Sequence, residues 1–388
     1  MDLHQLVKSH ESYVVERRRE FHMHPELSLQ EEWTSGRIAE ELGAMGIPYE
    51  IVGRRNVVGV IEGGKPGKSL AIRADFDALP IEEETDVPYK SQIPGCMHAC
   101  GHDAHAAMLL GTGKALLEIK DQLAGKVYLC FQIAEEAGQG ADEIVEYLQG
   151  KGGVDQAIGI HVLGDLNPGT LELVPGARLS GAEIFYIDVK GVGGHGSRPD
   201  LTVDPIKATV DCYQRLITIP VNHHSMFDTC VVSPCAIKSG DRFNIIPETG
   251  HIEGTIRYYK YGDGQRVLEK IRQTCEGVCA SHGCTVEVTS AVAAKFPLIN
   301  DPAATEAGRQ IAQEMGLELV DGRDPSAASD NFAEFLAAFP GFYANLGCHS
   351  TRPGTSGNHH NPTFDVDESA LPLGTEFFVR YAASFLGE

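Results

Sequence analysis

Four short stretches of this chain carry side chains able to bind a metal ion or move a proton. The first is His98-Ala-Cys-Gly-His-Asp-Ala-His105, which packs three histidines, a cysteine and an aspartate into eight residues after a Pro-Gly turn. Cys100 and His102 are two apart, so in an extended loop both can aim at one centre, and thiolate with imidazole suits zinc and similar divalent ions. The same residues would also serve as a polar helix start around a buried thiol. The second stretch is Glu135-Glu136, directly after the apolar run VYLCFQ. Adjacent side chains diverge, so one carboxylate can ligate metal while its neighbour handles a proton; an ordinary acidic loop is the alternative. The third is His161, at the end of QAIGI, and a lone histidine there can equally be structural. The fourth is Asn358-His-His-Asn-Pro-Thr-Phe-Asp365, a Gly/Pro-rich segment that is either mobile surface or the wall of a site.

These groups need elements to position them. Residues 3–21 and 30–45 read as amphipathic helices, the second stopped at Gly46. Apolar strands follow near 57–62 and 69–74, a helix runs from an N-capping Asp103 to about Lys120, and then come a strand at 126–132, a helical stretch near 139–150 and a strand at 156–162. Strands alternating with helices predict an α/β domain with a largely parallel sheet, and such sheets place ligands at the C-terminal ends of their strands. Beyond Gly181 the order changes: strand 183–191, helix 203–218, strands 229–237 and 251–259, helix 264–281 and strand 284–290. That is the β-α-β-β-α-β ferredoxin-like unit. From about 296 the chain returns to helix, short strand and helix. The reading is a discontinuous catalytic domain, 1–181 and 296–388, with an inserted domain at 182–295.

Composition narrows the partners. The 388 residues carry a formal charge of −22, which repels phosphate backbones and anionic lipid, so neither nucleic acid nor a membrane is expected. The opening residues have no apolar h-region, no run is long enough to span a bilayer, and the ten cysteines form no dense framework. A cytoplasmic protein with free thiols is the expectation. Cys275, Cys279, His282 and Cys284 could suggest a second zinc site, but helical spacing makes them core thiols instead. Cys96 and His98 lie close to the candidate ligands, and His22 and His24 receive no role.

The chain resembles the M20 metallopeptidases, in particular the amidohydrolase branch of hippurate hydrolases, N-acyl-amino-acid deacylases and plant auxin-conjugate hydrolases. The likeness rests on FHMHPELSLQE (21–31), IRADFDALPIEE (72–83), MHACGHDAHAAMLLG (97–111), QIAEEAGQGA (132–141), GIHV (159–162), GVGGHGSRP (191–199), FNIIPETGHIEGTIR (243–257) and NHHNPTFDVDE (358–368), in order along the chain. It implies a metal-bearing catalytic domain with an inserted lid or dimerisation domain, and hence a homodimer. It also implies roles. Cys100, His102, Glu136, His161 and His360 would bind two divalent ions, zinc or manganese first and cobalt or nickel next. Glu135 would be the general base and proton shuttle. His195 would polarise the scissile carbonyl, and Asn244 and Arg257 would hold the substrate carboxylate. Two departures stand near such positions: GGHGSRPD, with Arg198 and Asp200, and Ser329-Asp-Asn-Phe332.

The implied chemistry is hydrolysis of the amide bond of hippurate-, N-acetyl- or indoleacetyl-amino-acid-like conjugates by a metal-activated water. A hydrolase of small peptides with the same site is the alternative. A non-catalytic metal-binding protein fits less well, because every ligand position and the base position are filled.

Overall fold

A computed structural model describes residues 2–387 and divides the chain into two compact units. The first comprises the chain up to Gly176, Ile299–Asp324, and everything from Asp330 onward. The second comprises Ala177–Leu298 and Pro325–Ser329.

The first unit is built on an eight-stranded mixed sheet. Its order is Tyr49–Val52, Asn56–Glu62, Ala124–Gln132, Lys65–Asp75, Gln156–Leu163, Gly341–Gly347, Thr170–Glu172 and Glu318–Leu319. Its four central strands, from Ala124–Gln132 to Gly341–Gly347, are parallel. These read as near-continuous apolar runs, the pattern of strands covered on both faces, and Leu70 to Ala74 are buried without a break. The helix His102–Ile119 is almost wholly buried and packs between the helices Glu11–Met23 and Ala370–Phe385. In register, Asp75 lies beside Gln132 and Asn345 beside His161, so the strands end together along one edge.

Two local expectations change. The run 3–21 is two helices, Leu3–Ser9 and Glu11–Met23. The break falls at His10, whose imidazole turns inward to meet Glu118 at 2.8 Å. Asp103 is not the N-cap of its helix. Gly101 occupies that position at φ 90°, and Asp103 sits in the first turn with its carboxylate engaged elsewhere. Only glycine suits Gly101, because a Cβ there would meet Val162 at 2.4 Å as well as the strained backbone.

The second unit is a four-stranded antiparallel sheet in the order Cys230–Lys238, Thr249–Tyr258, Gly181–Lys190, Thr285–Ala294. The helices Pro205–Leu216 and Asp263–Ser281 pack against it. Along Thr249–Tyr258 burial alternates strictly, with Ile252, Ile256 and Tyr258 inward, so the sheet covers its core with one face. Asp204 caps the first helix by accepting from the Ile206 N–H at 2.9 Å, and Pro205 follows at the first helical position.

Candidate metal centre

The strand ends of the first unit gather the candidate ligands. Cys100, His102 and His161 present donor atoms within 4.8 Å of one another, and so do Cys100, Glu136 and His360. Cys100 Sγ lies 3.4 Å from His161 Nε2. Glu136 Oε1 lies 3.3 Å from His360 Nε2 and 4.0 Å from His102 Nε2. The two sets share Cys100, which suits a pair of ions with a common neighbour.

Two of the three imidazoles are oriented from behind. His102 Nδ1 donates to the Asp77 carbonyl at 3.0 Å, with Asp77 Oδ1 at 3.1 Å, and His161 Nδ1 donates to the Val162 carbonyl at 2.6 Å. Both rings therefore turn Nε2 toward the cluster, the usual arrangement of a metal-binding histidine. His102 Nε2 and Glu136 Oε1 are buried and make no hydrogen bond among the described residues. Buried polar atoms left unsatisfied in this way cost about 1–3 kcal/mol each, and a cation at the cluster would satisfy both. The donor set of one thiol, three imidazoles and a carboxylate fits divalent ions of the zinc or manganese kind.

Burial and mutual charge shift the groups of the cluster strongly. Burial opposes a charge on His102, but Asp75, Cys100 and the hydrogen bond to Asp77 together outweigh it and raise the imidazole well above its ordinary range. Burial pushes the Cys100 thiol up. Burial, with the charge of Asp330 behind it, raises the Glu135 carboxyl well above the ordinary carboxylate range. The His161 imidazole is pushed far down by burial and by neighbouring His105 and His359. Such strongly shifted groups collected in one place mark a site of function.

Two further histidines border the cluster, and each has a ring nitrogen engaged by a backbone N–H. His105 Nδ1 bonds Asp75 at 2.6 Å, while its Nε2 accepts from the Val162 N–H at 2.9 Å. His359 Nε2 accepts from the Gly164 N–H at 3.1 Å, whereas its neighbour His360 faces Glu136. His360 holds φ at 55° and Ala134, just before Glu135, also holds 55°. Left-handed backbone at non-glycine residues is uncommon, and here it aims side chains that a relaxed loop would not.

Sequence reasoning passed over Asp75 and Asp77, although both lie in IRADFDALPIEE. Asp77 supports His102 and also accepts from the Glu136 N–H at 3.0 Å. The available signal was an Asp-Phe-Asp at the end of a buried strand. Asn331 was seen only as a departure. Its N–H donates to Glu135 Oε1 at 3.3 Å, its Oδ1 accepts from Arg73 and Gln132 at 3.1 and 2.8 Å, and its Nδ2 donates to the Gln139 carbonyl at 2.8 Å. Its amide is thus committed to shaping the loop around Glu135.

His195, Asn244 and Arg257 belong to the second unit. His195 and Asn244 come together there: Gly194–His195 pairs with Ile245–Ile246, and the Gly196 N–H donates to the Asn244 carbonyl at 2.9 Å. His195 Nδ1 accepts from the Ser197 N–H at 3.1 Å, which leaves the ring proton on Nε2. Arg257 stands between Ala182 and Val231 on the sheet face away from the helices. Arg198 and Asp200 pair with each other at 2.8 and 3.0 Å.

Comparison with known proteins matches this geometry. The profile of peptidase family M20/M25/M40 matches residues 71–384. Thermostable carboxypeptidase 2 of Saccharolobus solfataricus is 37% identical over 98% of this chain and 97% of its own. N-acetylcysteine deacetylase of Bacillus subtilis is 33% identical over 98% of each. Among solved structures, a dinuclear metal binding peptidase from Bacillus subtilis superposes with a TM-score of 0.83 at 31% identity, covering 98% of this chain and 99% of that one. The chain belongs to peptidase family M20/M25/M40 and is a metal-dependent hydrolase of amide bonds.

Proposed function

We propose that the chain hydrolyses N-acyl amino acids, with Cys100, His102, Glu136, His161 and His360 holding two divalent ions. The observation that carries the reading is the convergence of these five donors around buried, unsatisfied His102 Nε2 and Glu136 Oε1. When bound, such ions make water acidic enough to attack at neutral pH and polarise a carbonyl oxygen. Thiolate and imidazole favour zinc, and the carboxylate admits manganese, cobalt or nickel.

Glu135 accepts the proton of the attacking water and passes it to the departing amine nitrogen. Its buried setting strengthens its hold on that proton between the two transfers. His195, with its proton on Nε2, is suited to donate a hydrogen bond to the oxygen on which charge develops. Asn244 and Arg257 pair with the substrate carboxylate, a task for which a guanidinium is well shaped. In this reading residues 182–295 act as a lid and dimerisation domain. Its strand Cys230–Lys238 lies at a sheet edge, and Val221, Met226 and Phe227 are 84%, 88% and 89% exposed, features that favour association with a second copy. The reading places the enzyme in the cytoplasm, where its ten unpaired cysteines would stay reduced.

A second reading, hydrolysis of small peptides, draws support from the carboxypeptidase relative. A peptide's last residue and an N-acyl amino acid share a free α-carboxylate beside the scissile amide. Metal analysis combined with a screen of N-acetyl, N-benzoyl and N-indoleacetyl amino acids, their carboxamides and dipeptides tests both. Two ions per chain and a preference for N-acyl amino acids with a free carboxylate are expected. A preference for dipeptides would select the second reading, and undiminished turnover after complete chelation would overturn the metal assignment.

A further inference from the structure

A buried arginine ties together two of the segments that carry candidate ligands. Arg18, on the helix Glu11–Met23, has no exposed surface. Its Nε donates to Asp103 Oδ2 at 2.9 Å, and one terminal nitrogen donates to Asp365 Oδ1 at 2.9 Å. Asp103 immediately follows His102, and Asp365 lies five residues after His360. The two carboxylates are buried as completely as the arginine.

Each end of this bridge is secured again. His22 Nδ1 lies 2.7 Å from the same Asp103 oxygen, and the Tyr89 hydroxyl lies 3.2 Å from both oxygens of Asp365. The guanidinium stacks over the Tyr89 ring at 4.7 Å. The Cys100–Gly101 stretch before the helix and the His360 segment do not have regular backbone. Gly101 at φ 90° separates Cys100 from His102, and His360 sits at 55°. They touch directly where the His360 N–H donates to the Ala99 carbonyl at 2.8 Å.

A buried ion pair is no guarantee of stability, since a well-packed apolar substitute often serves as well. What an apolar residue cannot do is hold two separate carboxylates in fixed directions. The planar fork of arginine can, and the point charge of lysine cannot hold both in this way. We infer that Arg18 is a positioning residue of the metal centre, setting the distance between the Cys100–His102 segment and the His360 segment through Asp103 and Asp365. This inference rests on the proposed metal reading of those ligands.

The test measures metal affinity by chelator competition, and hydrogen exchange of the metal-free protein, for wild type, Arg18→Lys, Asp365→Asn and Arg19→Lys. Arg19 is a control, because it pairs with Glu368 at 2.6 and 2.7 Å but is partly exposed and touches neither carboxylate. Loss of support behind a ligand typically weakens metal binding about 10–100-fold. That loss is expected for Arg18→Lys, with a smaller one for Asp365→Asn and wild-type affinity for Arg19→Lys. Exchange in segments 98–102 and 358–364 should rise in the first two variants before any metal is added. If Arg18→Lys fails to fold, Asp365→Asn carries the test, because it keeps the guanidinium and its bond to Asp103. Folded variants with wild-type affinity and wild-type exchange would overturn the inference. A wild-type protein that binds no metal would overturn the metal reading and this inference together.

Discussion

The two units of this protein bury very different interiors. The core of the second unit is Phe185, Ile187, Val189, Leu216, Ile252, Ile256, Ile271 and their neighbours, joined by the thiols of Cys212, Cys275, Cys279 and Cys284. Cys212 and Cys279 touch at 3.8 Å, and among the described residues neither belongs to a group of side chains placed to hold a metal. That unit buries two carboxylates, Glu183 and Asp263, whereas the first unit has a larger apolar core and also buries Arg18, Arg73, Asp75, Asp77, Asp103, His98, His102 and His105. Desolvating so many charges is costly unless they are paired and hydrogen-bonded, and the pairs described above do that for most of them. The comparison teaches where the chemistry is. A core built mainly for cohesion needs shape and apolar area, whereas a core built around a reaction accepts many charges held in fixed directions in a dry setting.

The sharpest test of that contrast is Glu135 against Glu136. Glu135→Gln should keep both ions and lose about 10²–10⁴-fold in kcat, the usual worth of a general acid–base group. Glu136→Gln should lose metal affinity instead. Metal content and kcat measured on both variants check the division. Loss of metal from Glu135→Gln with its chemistry intact would reverse the two roles.

A smaller effect is expected at Glu31, which is fully buried and accepts from the Ala134 N–H at 2.8 Å, just before Glu135 and Glu136. Burial pushes its carboxyl up to about 7, from an ordinary value of 4.5. The folded protein therefore holds this proton more tightly than the unfolded chain does. Stability falls as pH rises from 4.5 to 7, and above that the ionised carboxylate carries a constant cost. Glu31→Gln removes the titration. Thermal melts of metal-free protein should show the variant gaining on wild type between pH 5 and pH 8, by on the order of 3 kcal/mol. Parallel pH curves for the two proteins would show that Glu31 ionises without penalty.

The smallest effect belongs to the second unit. Cys275→Ala removes one buried sulfur and should cost roughly 1 kcal/mol of stability by leaving a small void. Metal content and turnover should not change. A change in metal stoichiometry would mean that the second core is not purely cohesive.

Much of the fold was legible in the sequence because its signals are local. Apolar runs such as SLAIRA and KVYLCF announce strands covered on both faces, and the alternation in HIEGTIRYY announces a strand covered on one. Strand order in the large sheet was not legible, since Lys65–Asp75 pairs with both Ala124–Gln132 and Gln156–Leu163 across intervening helices. The break at His10 was hidden, and the group His10 meets there, Glu118, is more than a hundred residues away.

For the candidate site, the sequence by itself determined which chemical groups are available and that several follow the ends of apolar strands. Residue type is local, and a strand's end is marked by the residues around it. Tertiary structure alone decided what each group faces. Asp77 stands behind His102, Asn331 closes on Glu135, and Arg18 reaches Asp103 and Asp365. Between the neighbours His359 and His360, the Gly164 N–H engages the first and leaves the second beside Glu136. These pairings join residues tens to hundreds of positions apart. Their energies depend on burial and direction, quantities that exist only once the chain has folded.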